Sequence, residues 1–585
     1  MLRTALLRIV APLLALVRAD ETPTKSHCKC VPGDTCWPSS VEWQHFNSSI
    51  SGKLIANKPI AISCYPGADF DNATCNAVNT AWSSATWMGE HPTGLDYPLN
   101  ITCPPVSAAA RSSVTADQCT IGSNPVYAVN ATNIDDIVAA VRLAKARNLR
   151  LVIKTSGHDI LGRSDGYGSL VIWLRYFRNG ITFNPSYTSP TGCKATDWNG
   201  SAMGIAGGYM WGDVHEQAAA NNVVIVGGGT NTVSAIGGWM QGGGHGPASS
   251  HFGLGADQVL DAEIVLANGE VVMANACQNQ DLFFAIRGGG PGTYGIVVST
   301  TVKTYPQVNA TIQRLMITPL DTSTDSLRDA IATIYGEFPD LVESGFSGYP
   351  CWQSGARQFY THSLYMLNAT NEYVKAEGQK LLDKLGRFRD ALNITSSYVS
   401  YPDYWSFYDN LADHDAPIGY MGAIGSRMLD SQSLQDSTAI RNAIDVLAGQ
   451  PSEGVNNVVS LVSGGQVWAD KAQKSAVNPA WRTTVALNSC SRAIIGKTAQ
   501  EWQEIHDDIT HTKTAALTAL APRTGGYMNE ADRFDGAWKT NFYGPNYQKL
   551  YRIKSLYDPT SLFYCPTCVG SDEWMADAAG RLCPV

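Results

Sequence analysis

The chain has 585 residues, only 16% of them charged, and a net charge of −9. Its length exceeds what one hydrophobic core usually serves, so two or more domains are expected. Sparse charge of net negative sign, with no polybasic run, leaves no electrostatic footprint for nucleic acid or an anionic membrane.

In chain order, Arg3 and Arg8 flank an apolar stretch up to Val17, and Val17-Arg18-Ala19 precedes Asp20. That stretch is too short and interrupted to anchor the chain across a bilayer, and it reads as a signal peptide over 1–19. Residues 20–121 form a proline-bearing arm crowded with Cys28, Cys30, Cys36, Cys64, Cys75 and Cys103 and poor in apolar periodic runs. Its order is expected to depend on disulfides. All fourteen cysteines lie beyond the leader, and Asn-x-Ser/Thr sequons occur at Asn47, Asn72, Asn100, Asn130, Asn199, Asn309, Asn368 and Asn393. Together these features point to an oxidising, glycosylating route and a secreted protein.

From about Gly122 strand and helix signals alternate. Val126 to Val129 reads as strand, and Ile137, Val138, Val141 and Ala144 recur at helical spacing after Asp135 and Asp136, whose charges suit a helix N-terminus. The run Leu151-Val152-Ile153 is then a short buried strand, followed by the loop Thr155-Ser156-Gly157-His158-Asp159-Ile160-Leu161-Gly162-Arg163-Ser164. A loop at the C-terminal end of a strand is the usual ligand-facing site of layered α/β folds, although a lone histidine there is more often a solvated or capping residue.

Strands are expected at Ser169 to Leu174, around Gly204-Ile205-Ala206 and at Val223 to Val226, with a helix over Val214 to Ala220. Next comes VGGGTNTVSAIGGWMQGGGHG, Val226 to Gly246, so dense in glycine that backbone could pass close to a ligand and donate N–H groups to phosphate oxygens. Val259 to Leu266 and Val271 to Ala274 flank Asn268-Gly269 and predict a hairpin with a type I′ turn. Beyond Pro306 the pattern changes to longer helices, Leu327 to Tyr335 and Tyr373 to Leu385, mixed with strand-like runs such as 458–462.

Two familiar phosphate motifs fail. No glycine run is followed by Gly-Lys-Ser/Thr, which excludes a P-loop, and the G-x-G-x-x-G from Gly290 to Gly295 leads into the strand-like Ile296 to Val302 rather than a helix. Cys565-Pro566-Thr567-Cys568 has no partner pair at zinc-ribbon spacing and reads as a structural disulfide with no metal or redox role. The remaining disulfide connectivity stays open.

The His158 loop, the glycine segment with its continuation Phe252 to Val259, Arg287-Gly288-Gly289-Gly290 leading to Tyr294 to Val297, and Tyr543-Gly544-Pro545-Asn546-Tyr547 with Tyr557-Asp558-Pro559 recur in one order. In them the chain resembles the vanillyl-alcohol oxidase and p-cresol methylhydroxylase (PCMH-type) flavoproteins, in their fungal berberine-bridge-like branch. The resemblance implies an α+β architecture: a two-part PCMH-type FAD-binding domain at 122–306, an α+β substrate cap at 307–535, and a C-terminal segment, 536–585, returning to the FAD domain.

It also implies FAD bonded through its 8α carbon to His158 and contacted by Ser156, Gly157, Asp159, Gly162, Gly228, Gly229, Thr230, Asn231, Val233, Gly237, Gly238, Gly243, Gly246, Gly295, Ile296, Val297, Asn546 and Tyr547. Relatives with a second covalent link carry cysteine after Gly-Thr; here Gly229-Thr230 is followed by Asn231, which leaves one link.

The implied reaction is removal of a hydride from a C–H next to an O–H or N–H, with O₂ as the acceptor that restores the flavin. Plant relatives often place a catalytic glutamate in Gly-Gly-x-Met-x-Glu. The counterpart Gly464-Gly465-Gln466-Val467-Trp468-Ala469 ends in alanine, leaving Asp470 and Tyr543 as weak candidates for the base. His245 could touch the flavin or only fill space, and Asn478 to Arg482 is read as structural. The substrate is expected to be a small molecule, plausibly a fungal secondary-metabolite intermediate. A carbohydrate oxidase and a flavin-fold glycoprotein without turnover stand as alternatives, an open aromatic groove favouring sugar and a closed apolar pocket a phenol or polyketide.

Overall fold

The computed structural model describes residues 27–196, 198–320, 324–355, 357–411, 418–470 and 474–585. The leader read over 1–19 lies outside the described residues.

The first sheet has the spatial order Leu54–Ala56, Tyr127–Asn130, Leu170–Trp173, Leu151–Lys154, and its last three strands run parallel. Helix Ile134–Ala146 carries the chain across from Tyr127–Asn130 to Leu151–Lys154, and Leu170–Trp173 fills the place between these two strands. Asn133 and Asp136 close a capping box at its start, and Ile137, Ala140, Val141 and Ala144 turn one stripe inward. The second sheet is antiparallel: Arg178–Asn184, Ala202–Gly207, Ile296–Pro306, Val259–Val265 and Val271–Asn275 in order, with Val223–Ile225 also on Ile296–Pro306. Val129, Leu151 and Ile172 of the first sheet share a core with Val265, Ile296 and Val298 of the second.

The expected hairpin after Leu266 is present, but its turn differs. Only Gly269 has positive φ, +80°, while Asn268 does not, and the amides of Gly269 and Leu266 bond to the carbonyls of Leu266 and Glu270. This is the three-residue turn with left-handed glycine rather than type I′, which needs both central residues at positive φ.

The third sheet has seven antiparallel strands in the order Leu392–Tyr401, Ala310–Pro319, Gln358–Leu367, Ser347–Ser354, Asn456–Ser460, Thr484–Ala493, Gly422–Asp430. One face packs on helices Asp325–Glu343, Asn371–Leu385, Ser437–Ala448 and the stretch from Ala499 to Leu520. Along Asn456–Ser460 the pleat turns Asn457 and Val459 into that core, while Val458 between them points the other way. Helix Asp325–Glu343 runs through Pro339, past the expected end near Tyr335, because Phe338, Leu341 and Val342 continue the buried stripe.

The arm from 27 to 121 is not separate. It carries short helices, lends Leu54–Ala56 to the first sheet, and is stapled by Cys30–Cys36, Cys64–Cys75 and Cys103–Cys119. Cys28–Cys583 joins it to the chain's other end, and Cys193–Cys277 and Cys565–Cys568 complete six bridges among the described residues. The C-terminal segment returns through helix Tyr547–Tyr557 to a bridge between Phe563 and Leu151 at the sheet edge. No helix among the described residues is long and apolar enough to cross a membrane.

Candidate active site

A cavity of about 460 Å³ lies between the first two sheets and the outward face of the seven-stranded one. Its floor begins where strand Leu151–Lys154 ends. Gly157, at φ +90°, makes the turn that aims His158 into the cavity, and a Cβ there would meet the Gly94 carbonyl at 2.6 Å, so only glycine fits. The loop is braced by Asp159, which binds the Arg163 guanidinium at 2.6 Å, and Arg163 reaches on to Asn529 at 2.9 Å. Asn529 in turn donates to the Gly238 carbonyl at 3.0 Å, tying the His158 loop, the glycine segment and residues 527–530 together.

Ser156, Gly157, His158, Asp159, Gly228, Gly229, Thr230, Val233, Gly237, Gly238, Gly295, Ile296 and Val297 all line this cavity. Six other residues named with them do not. Gly162 packs on Leu99, and Gly246 lies against the Gly227 backbone. Asn231 accepts from the Tyr408 hydroxyl, and Gly243 faces Val477 and Tyr527. Asn546 donates to the carbonyls of Ala476 and Val477, and Tyr547 to Asp572.

The walls suit a flat, phosphorylated cofactor. A Cβ built at Gly229, Gly238 or Gly292 meets nothing closer than 3.8 Å, so the room a side chain would take there belongs to the cavity. The backbone N–H groups of Gly157, His158 and Ile160 bond to no protein acceptor among the described residues, which suits them to phosphate oxygens. No free thiol among the described residues lines the cavity; Cys351 and Cys490 lie elsewhere and Cys565 is disulfide-bonded. The described residues therefore offer no cysteine for a second link beside His158.

His158 is held from an unexpected quarter. Asp96, fully buried and contributed by the cysteine-rich arm, accepts from His158 Nδ1 at 2.6 Å. The other ring nitrogen, Nε2, has no hydrogen bond among the described residues. Asp96 is itself fixed, its amide donating to the Gly157 carbonyl and its carbonyl accepting from Gly419. Below lies Lys154, fully buried, donating to the His91 carbonyl at 2.6 Å; desolvation brings its ammonium down to about 7 despite nearby Asp96 and Glu90.

The seven-stranded sheet closes the far wall with Tyr349, Ile424, Val458, Ser460, Ser489 and Ser491. The pairings Val458 with Ser489 and Ile424 with Ser491 bring residues distant in sequence side by side. Neither weak candidate for the base is here. The segment around Ala469 is helix Gly465–Ala469 rather than strand, and it leaves Asp470 near Arg482 and Asp257, away from the cavity. Tyr543 is buried with its hydroxyl on the Thr567 carbonyl. The carboxylates that do line the cavity are Asp159, committed to Arg163, and Glu530, whose Oε1 accepts from His245 Nε2 at 3.0 Å. Glu530 and Asp96 escape sequence reading because nothing local marks either.

Comparison with known proteins agrees with this cradle. The family model described as FAD binding domain matches residues 125–275, and that described as Berberine and berberine like matches 526–570. The FAD-linked oxidoreductase hmp9 of Hypomyces subiculosus is 43% identical over 97% of this chain and 92% of its own, and FAD-linked oxidoreductase apf9 of Gibberella fujikuroi is 38% identical over 95% and 96%. The crystal structure of the VAO-type flavoprotein MtVAO713 from Myceliophthora thermophila C1 superposes with a TM-score of 0.93 at 44% identity, covering 96% of this chain and 100% of that one.

The chain belongs to the VAO-type, berberine-like FAD-linked oxidoreductases. It is an enzyme with FAD as cofactor and the two-domain α+β fold of that family, which removes the reading of a ligand-binding glycoprotein without turnover. Its substrate belongs among small molecules.

Proposed function

We propose that this FAD-linked oxidoreductase is a secreted oxidase that carries its cofactor on His158 and passes electrons from a small, largely apolar organic molecule to O₂. The observation that carries the reading is His158 itself, with Nδ1 held by buried Asp96 and Nε2 unpartnered on the cavity wall. A ring nitrogen so oriented is preorganised for a bond to the cofactor.

Bound FAD supplies a two-electron acceptor for hydride. The protein's part is to hold the substrate's C–H against it, to take the accompanying proton and to keep water out. Tyr97, Tyr349, Ile424, Val458 and Tyr527 make the substrate side mainly apolar and aromatic, with Ser460, Ser489 and Ser491 as hydrogen-bonding points. This favours a phenolic or polyketide-like metabolite over a sugar chain, for which an open groove would be needed.

Secretion draws support from six disulfides and from sequons exposed at Asn72, Asn100, Asn199, Asn309, Asn368 and Asn393. Asn47 is half-buried, and the carbonyl oxygen of Asn130 is buried, so these two are poor acceptors for a glycan. The test is acid precipitation of purified wild type and His158→Ala. Yellow protein pellet from the wild type and yellow supernatant from the variant are expected; flavin released from both would refute the covalent link.

A further inference from the structure

We infer that Glu530 is the catalytic base of this enzyme and that His245 is its positioning residue. The inference rests on the hydride-removal reading above and adds the group that takes the proton.

Elimination among the lining side chains comes first. A proton acceptor at this wall must be ionised, or neutral with a free lone pair, and must not be committed elsewhere. His158 is committed to Asp96 and Asp159 to Arg163. Tyr97, Tyr349, Tyr527 and Tyr564 are phenols that burial holds above the usual tyrosine range, with the nearby Glu530 charge as a further cause for the first three, so they stay neutral donors. Glu530 remains, a third exposed, with Oε1 bound to His245 and no hydrogen bond to Oε2 among the described residues.

Position makes the second argument. Glu530 ends the turn Tyr527 to Glu530, closed by its own amide on the Tyr527 carbonyl. Its neighbour Asn529 is bonded to Gly238 and Arg163, so Glu530 sits where the glycine cradle meets the substrate wall. His245 belongs to the glycine segment itself. Its ring packs against Tyr527 and Trp481, with centroids 5.0 and 6.0 Å away, and its Nδ1 is buried without a partner, which leaves Nε2 to carry the proton donated to Glu530. One carboxylate oxygen is thus pinned and the other left for substrate, as a base oriented by a third group requires. In the step, the substrate O–H proton moves to Glu530 Oε2, the C–H hydride leaves to the bound two-electron acceptor, and C–O becomes C=O.

The probe is 4-nitrophenol, whose anion is yellow and whose neutral form is not, titrated into flavin-loaded wild type, Glu530→Gln, His245→Phe and His245→Gln from pH 5 to 9. A carboxylate at 530 favours the neutral phenol as donor, whereas the amide of Glu530→Gln, mimicking the protonated base, favours the anion. We expect Glu530→Gln to bind the yellow anion at least tenfold more tightly than wild type; equal binding, or none by either, overturns the assignment. His245→Phe removes the donated hydrogen bond that orients the carboxylate, so it should change the pH at which the bound phenol switches form, and His245→Gln, which keeps an N–H donor, should restore it. A packing role predicts the reverse order of damage. Besides His245, the titratable groups that line the cavity with Glu530 are His158, Asp159, Arg163 and the phenols Tyr97, Tyr349, Tyr527 and Tyr564, which burial keeps neutral in this range. Acid-precipitated flavin measured on each variant separates the two proposals: normal pellet flavin with unchanged nitrophenol binding refutes the base alone, while flavin absent from all pellets refutes the His158 link alone.

Discussion

The two walls of the cavity are built in opposite ways. The cofactor wall comes from short, contiguous stretches, the loop 155–164 and the glycine segment, in which backbone conformation and missing side chains do the work. The substrate wall comes from single side chains on four neighbouring strands, Ser347–Ser354, Asn456–Ser460, Thr484–Ala493 and Gly422–Asp430, plus the turn at Glu530. A wall made of backbone tolerates almost no change, whereas one made of alternating side chains can be respecified residue by residue without disturbing the fold.

The sharpest break would come from Gly229→Val, which puts a branched side chain into the cradle. Flavin content measured by absorbance should fall at least tenfold, while the far-ultraviolet circular dichroism stays that of the wild type. Next in size is Arg482→Ala. Arg482 and Asp257 form a buried bidentate pair at 2.8 and 2.9 Å beneath the glycine segment's continuation, and leaving that carboxylate unpaired should cost about 3–5 kcal/mol in denaturant unfolding.

A smaller effect depends on pH. Burial lowers Lys154 to about 7 in the folded protein from an unfolded value of 10.5, so between those values the unfolded chain binds more protons and stability rises with pH. Lys154→Met should flatten the rise between pH 7 and 9 by up to about 1.4 kcal/mol per pH unit, read from unfolding free energies at the two ends. Smallest of all, Ser489→Ala on the substrate wall should leave flavin content unchanged and alter KM less than tenfold; lost flavin there would mean the two walls are not independent.

Legibility in the sequence follows the same division. His158 and most of the glycine positions named from the sequence line the cavity, because loop geometry and close backbone approach leave a local signature of such places. Gly162, Gly246, Asn546 and Tyr547 sit beside such signatures but serve packing or hydrogen bonding away from the cavity. Asp96, Glu530 and the serines of the seven-stranded sheet left no mark, since their meaning lies in strand order and in an arm folded back from another part of the chain. The type I′ expectation at Asn268-Gly269 failed for a related reason: the dipeptide allows two hairpin geometries, and loop length decides between them.

The Cys28–Cys583 bridge spans a sequence separation of 555 and converts an open thread into a covalent ring. A single cut by a protease in any surface loop of that ring releases no fragment until the bridge is reduced. New ends could equally be opened at such a loop and the chain joined between Cys28 and Cys583, because these two residues already lie together. The ring makes damage to the backbone and loss of a domain two separate events.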